Sequence, residues 1–318
     1  MVSDRWADDV VAALGPRAVR DAPLGARTTY RVGGTAAVLV EVDAEGDLAA
    51  VHDALGSGGA PPLLVLGNGS NLLVADAGFP GLVIVLGPGL AAIEMEGTTV
   101  RAGGAAMLPL VARRSAAAGL TGLEWAVGVP GTVGGALKMN AGGHGSDTAA
   151  VLVRQRVFDV VTGHAAVDGA DRLALGYRHS SLGAGEVVVW AEFALAAGDA
   201  AQAQAAVAEI VRWRRAHQPG GSNAGSVFTN PPGDAAGRLV EAAGLKGLRL
   251  GSARVSEKHA NFIQADDGGS ADDVRRLIEH VRRVVLDATG VALVPEVRFV
   301  GFDQGEREKP STSCGGSS

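Results

Sequence analysis

Acidic and apolar residues recur at helical spacing from Asp4 to Leu14, which predicts a short amphipathic helix near the start of the chain. The stretch "TAAVLVEV" then reads as a strand with Val38 and Val40 on one face, and Asp47 to Leu55 returns to a helical pattern. "PPLLVLGNGSNLLVAD" reads as a buried strand running into a glycine-rich turn, and "GLVIVL" as a further strand. From Pro88 onward strands dominate, in "TVRAGGAAM", "VLVRQRVFDVV", "HAAVD" and "EVVVWAEFALAA", with one helix at Leu108 to Ala118. An alanine-rich helix over Ala200 to Arg215 ends at the breakers "AHQPGG". Helices at Gly237 to Ala243 and Ala271 to Thr289 and a final strand in "ALVPEVRFVGF" follow. This mixture of strands and helices is that of an α/β or α+β protein, with a unit boundary near Pro88 and a linker after Arg215.

Composition narrows the picture. A length of 318 residues suits two or three domains at roughly 100 to 200 residues each. The longest apolar runs, such as Val187 to Trp190, are strand-length, so no membrane-spanning helix is expected. The N-terminus "MVSDRWADDVV" has acids where a signal peptide has basic residues, which points to the cytoplasm. Cys314 is the single cysteine, so neither an intrachain disulfide nor a cysteine zinc site is expected, and no metal site is read. A net charge of -6 argues against a general nucleic-acid surface but leaves room for a local basic cleft that binds phosphate. The polar tail "DQGEREKPSTSCGGSS" is expected to be disordered.

The 47 glycines change the picture most, because many of them gather in clusters. "LGNGSNLL", Leu66 to Leu73, follows a strand and is able to form a nest of backbone N-H groups for the oxygens of a diphosphate; a plain tight turn is the alternative. It is neither G-x-G-x-x-G nor a P-loop. "GLEWAVGVPGTVGGALKMNAGGHGSD", Gly122 to Asp147, reads as a long apolar loop able to wrap a flat ligand such as a flavin. Three polar residues stand out elsewhere: Arg178 in "YRHSSL", Ser226 in "SNAGSVFTNP" and Glu296 in "PEVRF". Taken singly, each has an ordinary explanation as a surface ion pair, a turn cap and a solvent-facing strand residue.

Taken together, "TTYRVGG", "LGNGSNLL", "GVPGTVGGALKMNAG", "YRHSSL", "NAGSVFTNP", "AGLKG", "KHANF" and "PEVRF" stand in the order and at about the spacing found in UDP-N-acetylenolpyruvoylglucosamine reductases, which the chain resembles from Leu24 to Gly301. The resemblance implies an α+β fold: a two-part FAD-binding module of the vanillyl-alcohol-oxidase type and a smaller substrate-binding domain. It divides the chain into residues 1–88 and 89–199 for the flavin and 204–291 for the substrate, with strand 292–302 returning to the first part and the tail 303–318 outside. It also implies noncovalent FAD, NADPH as hydride donor, and hydride delivery to an enolpyruvyl β-carbon during peptidoglycan precursor synthesis.

By motif position the resemblance makes Ser226 the proton donor, Arg178 the cation that stabilises charge on the substrate carboxylate, and Glu296 a third catalytic residue that orients or protonates the intermediate. A serine that donates a proton needs no neighbouring base, unlike a serine nucleophile. FAD contacts are implied at Gly67, Asn68, Gly69, Ser70, Asn71, Gly128, Pro130, Gly131, Gly134, Gly135, Asn140, Ala141 and Gly142. Substrate contacts are implied at Tyr177, Asn230, Lys246 and His259. The chain departs from some relatives in two ways: it resembles the branch lacking the tyrosine loop that closes over the substrate, and it has His144 where an aromatic residue is common. No covalent flavin link through that histidine is expected. Partners reduce to a small-molecule substrate, with no nucleic acid and no membrane, and a monomer is compatible with the sequence. Two competing readings remain at this stage, a related flavin oxidase of sugars or hydroxy acids and a flavin or nucleotide-sugar binding protein without turnover.

Overall fold

Helix α1 (Arg5–Leu14) leads into strands β1 (Ala18–Pro23) and β2 (Thr35–Val42), helix α2 (Glu45–Leu55), and strands β3 (Leu63–Leu66), β4 (Leu72–Val74) and β5 (Phe79–Leu86). The computed structural model describes residues 5–56 and 61–302; Asp4, the expected start of α1, and the expected disordered tail 303–318 with Cys314 lie outside them. Four strands form a sheet in the order β1-β2-β5-β3, antiparallel between β1 and β2 and parallel elsewhere. The alternation of β2 divides its residues between two faces. Val38, Val40 and Val42 share a core with Val10 of α1 and Leu48 and Val51 of α2, while Leu39 joins a separate cluster with Leu66 and Val83. Strand β1 has no counterpart in the sequence reading, because "AVRDAP" carries charges and ends in proline; it is an edge strand, where a missing N-H is tolerated.

The second unit contains β6 (Ile93–Glu96), β7 (Thr99–Gly103), α3 (Leu108–Ala117), β8 (Leu120–Thr121), α4 (Val133–Met139), a hairpin of β9 (Gly142–Gly143) and β10 (Ser146–Asp147), β11 (Leu152–Asp159), β12 (Ala165–Gly169), β13 (Glu186–Ala194) and β14 (Ala196–Ala197). Its main sheet is antiparallel in the order β12-β11-β13-β7-β6. Phe158, Val160, Val187 and Val189 join the core of α1 and α2, so the two sheets are packed together. The long glycine-rich stretch is not all loop. Thr132 caps α4 by accepting the Gly135 N-H at 3.3 Å, and Asn140 ends it in the left-handed conformation at φ 38°.

Helix α5 (Ala200–His217) buries Ala203 and Val207 in the second core, against α3 and the 124–128 turn. The expected boundary at residue 204 therefore falls inside a helix that belongs to the second core. The third core holds α6 (Ala236–Ala242), an antiparallel meander of β15 (Arg249–Leu250), β16 (Ala253–Val255) and β17 (Ile263–Ala265), and α7 (Ala271–Thr289). Val274, Leu277, Ile278, Val281 and Val285 give α7 its buried stripe at helical spacing. The final strand β18 (Arg298–Val300) is shorter than the expected 292–302, since Pro295 has no N-H to donate and the preceding residues meet the 227–229 segment instead. It runs parallel to β4, so "PPLLVLGNGSNLLVAD" is two strands in different sheets rather than one.

Candidate active site

Between the two sheets lies a cleft of about 700 Å³ whose wall includes β3, the 67–71 turn, the start of α4, the 179–184 segment and β18. The glycines of the turn have steric reasons. A Cβ on Gly69, at φ +61°, would fall 2.6 Å from Thr28 Cα, and one on Gly67 would fall 2.5 Å from Thr132 Oγ1. Ser70 Oγ donates to Pro130 O at 3.0 Å, which fastens this turn to the second glycine cluster. Among the described residues, no hydrogen bond to another protein group is made by the amide N-H groups of Asn68, Gly69, Ser70 and Asn71. Such amides form an anion cradle.

Two cations line the same cleft, Lys138 and Arg298. Burial, with Arg298 as a second cause, holds the Lys138 ammonium below its ordinary range. A long cleft with unused amides and two cations fits FAD: the turn and cations suit the diphosphate, and the apolar remainder, including Leu64, Met107 and Val188, suits its rings. Of the implied flavin contacts, Gly67, Asn68, Gly69, Ser70, Asn71, Gly134 and Gly135 line this cleft, whereas Gly128, Pro130, Gly131, Asn140, Ala141 and Gly142 do not. The Asn140 side chain is used internally, donating to Asp147 Oδ2 and Gly176 O and accepting from Ala149 N. Lys138 and Arg298 stand as cations within "GALKMN" and "PEVRF", where the glycines and Glu296 carry the motif signal.

Arg178 sits at the tip of a tight turn in which Gly176 and His179 exchange both backbone hydrogen bonds at 3.1 Å. Its φ of +54° is strained for a non-glycine residue, costing roughly 1–2 kcal/mol. Three contacts fix its guanidinium. One NH2 group donates to Gly142 O at 3.2 Å, the Tyr177 ring lies 5.2 Å away, and Nε is 2.6 Å from Glu296 Oε1. That last N-H is not aimed at the carboxylate, so the contact is an ion pair rather than an aligned hydrogen bond.

Glu296 is clamped through its backbone. Its N-H donates to Val227 O at 2.7 Å and its carbonyl accepts from Asn71 Nδ2 at 3.1 Å, which joins the serine segment to the 67–71 turn. Burial pushes its carboxyl above the usual carboxylate range, against the pull of Arg178 and, last, Arg298. Ser226 stands next to Val227, half-buried, and its hydroxyl makes no hydrogen bond to another described residue. Buried Asn261 holds this segment by accepting from Val227 N and Phe228 N and donating to Phe228 O.

None of the four implied substrate residues is among those that line this cleft. Asn230 Oδ1 accepts from Ala236 N at the start of α6, and Lys246 Nζ pairs with Glu241 at 2.9 Å. His259 Nδ1 accepts from Asn261 N at 3.2 Å, so a neutral ring carries its proton on Nε2; burial favours that neutral form. Tyr177 is exposed. His144 sits edge-on to Trp213 at 5.3 Å, and Trp213 stacks on His217 at 4.7 Å.

Residues 36–169 match the model of the FAD binding domain family, and residues 217–300 that of the UDP-N-acetylenolpyruvoylglucosamine reductase C-terminal domain. The chain is 42% identical over 296 residues to a UDP-N-acetylenolpyruvoylglucosamine reductase of Rubrobacter xylanophilus, covering 92% of this chain and 99% of that one. It is 41% identical to the enzyme of that name from Paramagnetospirillum magneticum, over 93% and 96% of the two chains. The crystal structure of the Thermus caldophilus enzyme superposes with a TM-score of 0.78 at 36% identity, covering 89% of this chain and 98% of that one. With both family models matched in order and near-complete overlap with these relatives, the chain belongs to the UDP-N-acetylenolpyruvoylglucosamine reductase family and is an FAD-dependent oxidoreductase.

Proposed function

We propose that the protein reduces UDP-N-acetylglucosamine enolpyruvate to UDP-N-acetylmuramate with NADPH through noncovalently bound FAD, as a cytoplasmic step of peptidoglycan precursor synthesis. The observation that carries this reading is the Arg178–Glu296 pair, tied through the Glu296 peptide groups to the Asn71 side chain of the 67–71 turn on one side and to the backbone of the Ser226 segment on the other. Bound FAD supplies the hydride relay from NADPH to the enolpyruvyl β-carbon. Charge then develops at the α-carbon and its carboxylate, where the planar fork of Arg178 stabilises it. The free hydroxyl of Ser226 donates the proton to the α-carbon. Lys246 meets the substrate diphosphate by exchanging Glu241 for phosphate, and Asn230, Tyr177 and the Nε2-H of His259 hold the remaining polar groups. In this reading residues 1–88 and 89–199 carry the flavin, and the third unit, from the end of α5, covers the substrate.

The test is anaerobic. The flavin of the purified protein is reduced with NADPH, UDP-N-acetylglucosamine enolpyruvate is added, and the return of oxidised-flavin absorbance is followed. Rapid return with formation of UDP-N-acetylmuramate is expected. A flavin that reduces but ignores this substrate points to an oxidase of another compound, and a protein that holds no flavin refutes the cleft assignment.

A further inference from the structure

We propose that the Arg178–Glu296 ion pair is a resting latch opened by the substrate's own carboxylate, and that Glu296 takes up a proton from solvent as the substrate binds. The inference rests on the functional reading above, in which Arg178 receives that carboxylate. In the substrate-free protein the guanidinium is already engaged by Glu296 at 2.6 Å, by Gly142 O and by the face of Tyr177. The Nε-H is enclosed and yet not directed at Glu296, so the pair is held by charge more than by hydrogen-bond alignment. An incoming carboxylate that takes the fork in aligned geometry therefore displaces a partner that is poorly aligned.

Glu296 has little room to retreat once displaced. Val227 O and Asn71 Nδ2 clamp its peptide groups from either side, and its side chain is only 16% exposed. The charged groups acting on it are Arg178, from the tight turn, and Arg298, two residues along its own segment; Asn71 and the Ser226–Val227 segment bring no charge. Two carboxylates sharing one guanidinium in a half-buried site repel each other, and burial already favours the neutral form of Glu296. One proton passes from solvent to a Glu296 carboxylate oxygen, with no other bond made or broken. The neutral carboxyl then donates a hydrogen bond to the substrate carboxylate instead of opposing it.

Because the bound state carries the extra proton, affinity falls as pH rises between the two Glu296 pKa values, by at most about tenfold per pH unit. The test uses FAD-loaded, oxidised protein without NADPH, so that the substrate binds but does not turn over. Titration calorimetry with UDP-N-acetylglucosamine enolpyruvate at one neutral pH, in buffers of different ionisation enthalpy, measures protons exchanged. Net uptake is expected for the native protein, none for UDP-N-acetylglucosamine, which lacks the carboxylate, and none for Glu296→Gln with an unchanged flavin spectrum. Buffer-independent heats with the native protein, or uptake that persists in Glu296→Gln, overturn the latch while leaving the functional reading intact. Failure of both ligands to bind overturns the functional reading and this inference with it.

Discussion

Ser226 is a residue whose role no local feature announces. It has no base beside it, and its hydroxyl has no protein partner among the described residues, so only the company of its motif and of Glu296 separates it from a turn serine. Ser226→Ala is expected to leave reduction of the flavin by NADPH nearly unchanged and to slow reoxidation by substrate by about 10²–10⁴-fold, because only the second half-reaction consumes a proton. Stopped-flow absorbance of each half-reaction separately decides this, and equal loss in both would assign the serine a folding or binding role. Tyr30 shows the opposite case, a motif residue whose environment the sequence hides. It is fully buried, its hydroxyl lacks a partner, and burial pushes its ionisation upward from 10. Its folded pKa lies above its unfolded one, so the neutral phenol is favoured in the folded state and stability is lost as pH rises above about 10. Tyr30→Phe removes an unsatisfied group; it is expected to keep or raise stability at neutral pH, by up to about 1 kcal/mol, and to lessen the alkaline loss. Urea unfolding at neutral and alkaline pH measures both effects.

At the scale of elements, legibility followed the strength of the repeat. Helix α7, with its apolar stripe at helical spacing, and β2, a β-branched apolar run buried on both faces, appear over the residues that their patterns predict. Helix α4 was hidden because Gly134 and Gly135 lower helix propensity within it, and the Thr132 cap that compensates lies in a run dominated by glycine. Helix α7 also owes its position to a contact remote in sequence. Asp76, after β4, accepts from Ser270 Oγ at 2.6 Å, Ala271 N at 2.9 Å and Asp272 N at 3.2 Å, so the first unit supplies a carboxylate to the N-terminus of α7. Asp76→Ala is expected to lower stability by about 1–2 kcal/mol, read by chemical denaturation, with Asp76→Asn recovering part of it. Within the 67–71 turn, Gly69→Ala puts a Cβ on a left-handed residue, where it would fall 2.6 Å from Thr28 Cα. That substitution is expected to deplete FAD from the purified protein, measured as the ratio of flavin to protein absorbance, while far-UV dichroism stays native.

The three units are not beads on a string. The third core includes Tyr30, Val32 and Leu73 from the first unit, β18 is laid beside β4, and Phe158 and Val187 of the second sheet complete the core beneath α1 and α2. The resemblance already implied that the last strand returns to the first unit, but pattern changes and breakers gave no access to the shared cores, since each unites residues far apart in the chain. A protein built this way is expected to unfold as one. Its tryptophans, at 6, 125, 190 and 213, all precede the third unit, whereas far-UV dichroism also registers α6 and α7. Thermal midpoints by tryptophan fluorescence and by dichroism should therefore coincide. Because the cleft proposed for the flavin is walled by both sheets and by β18, FAD in excess at about 100 times its dissociation constant should raise both midpoints together, through roughly 2.7 kcal/mol of linkage. Dichroism that melts below the fluorescence, with only the fluorescence rising on flavin addition, would mean that the third unit unfolds on its own despite the shared core.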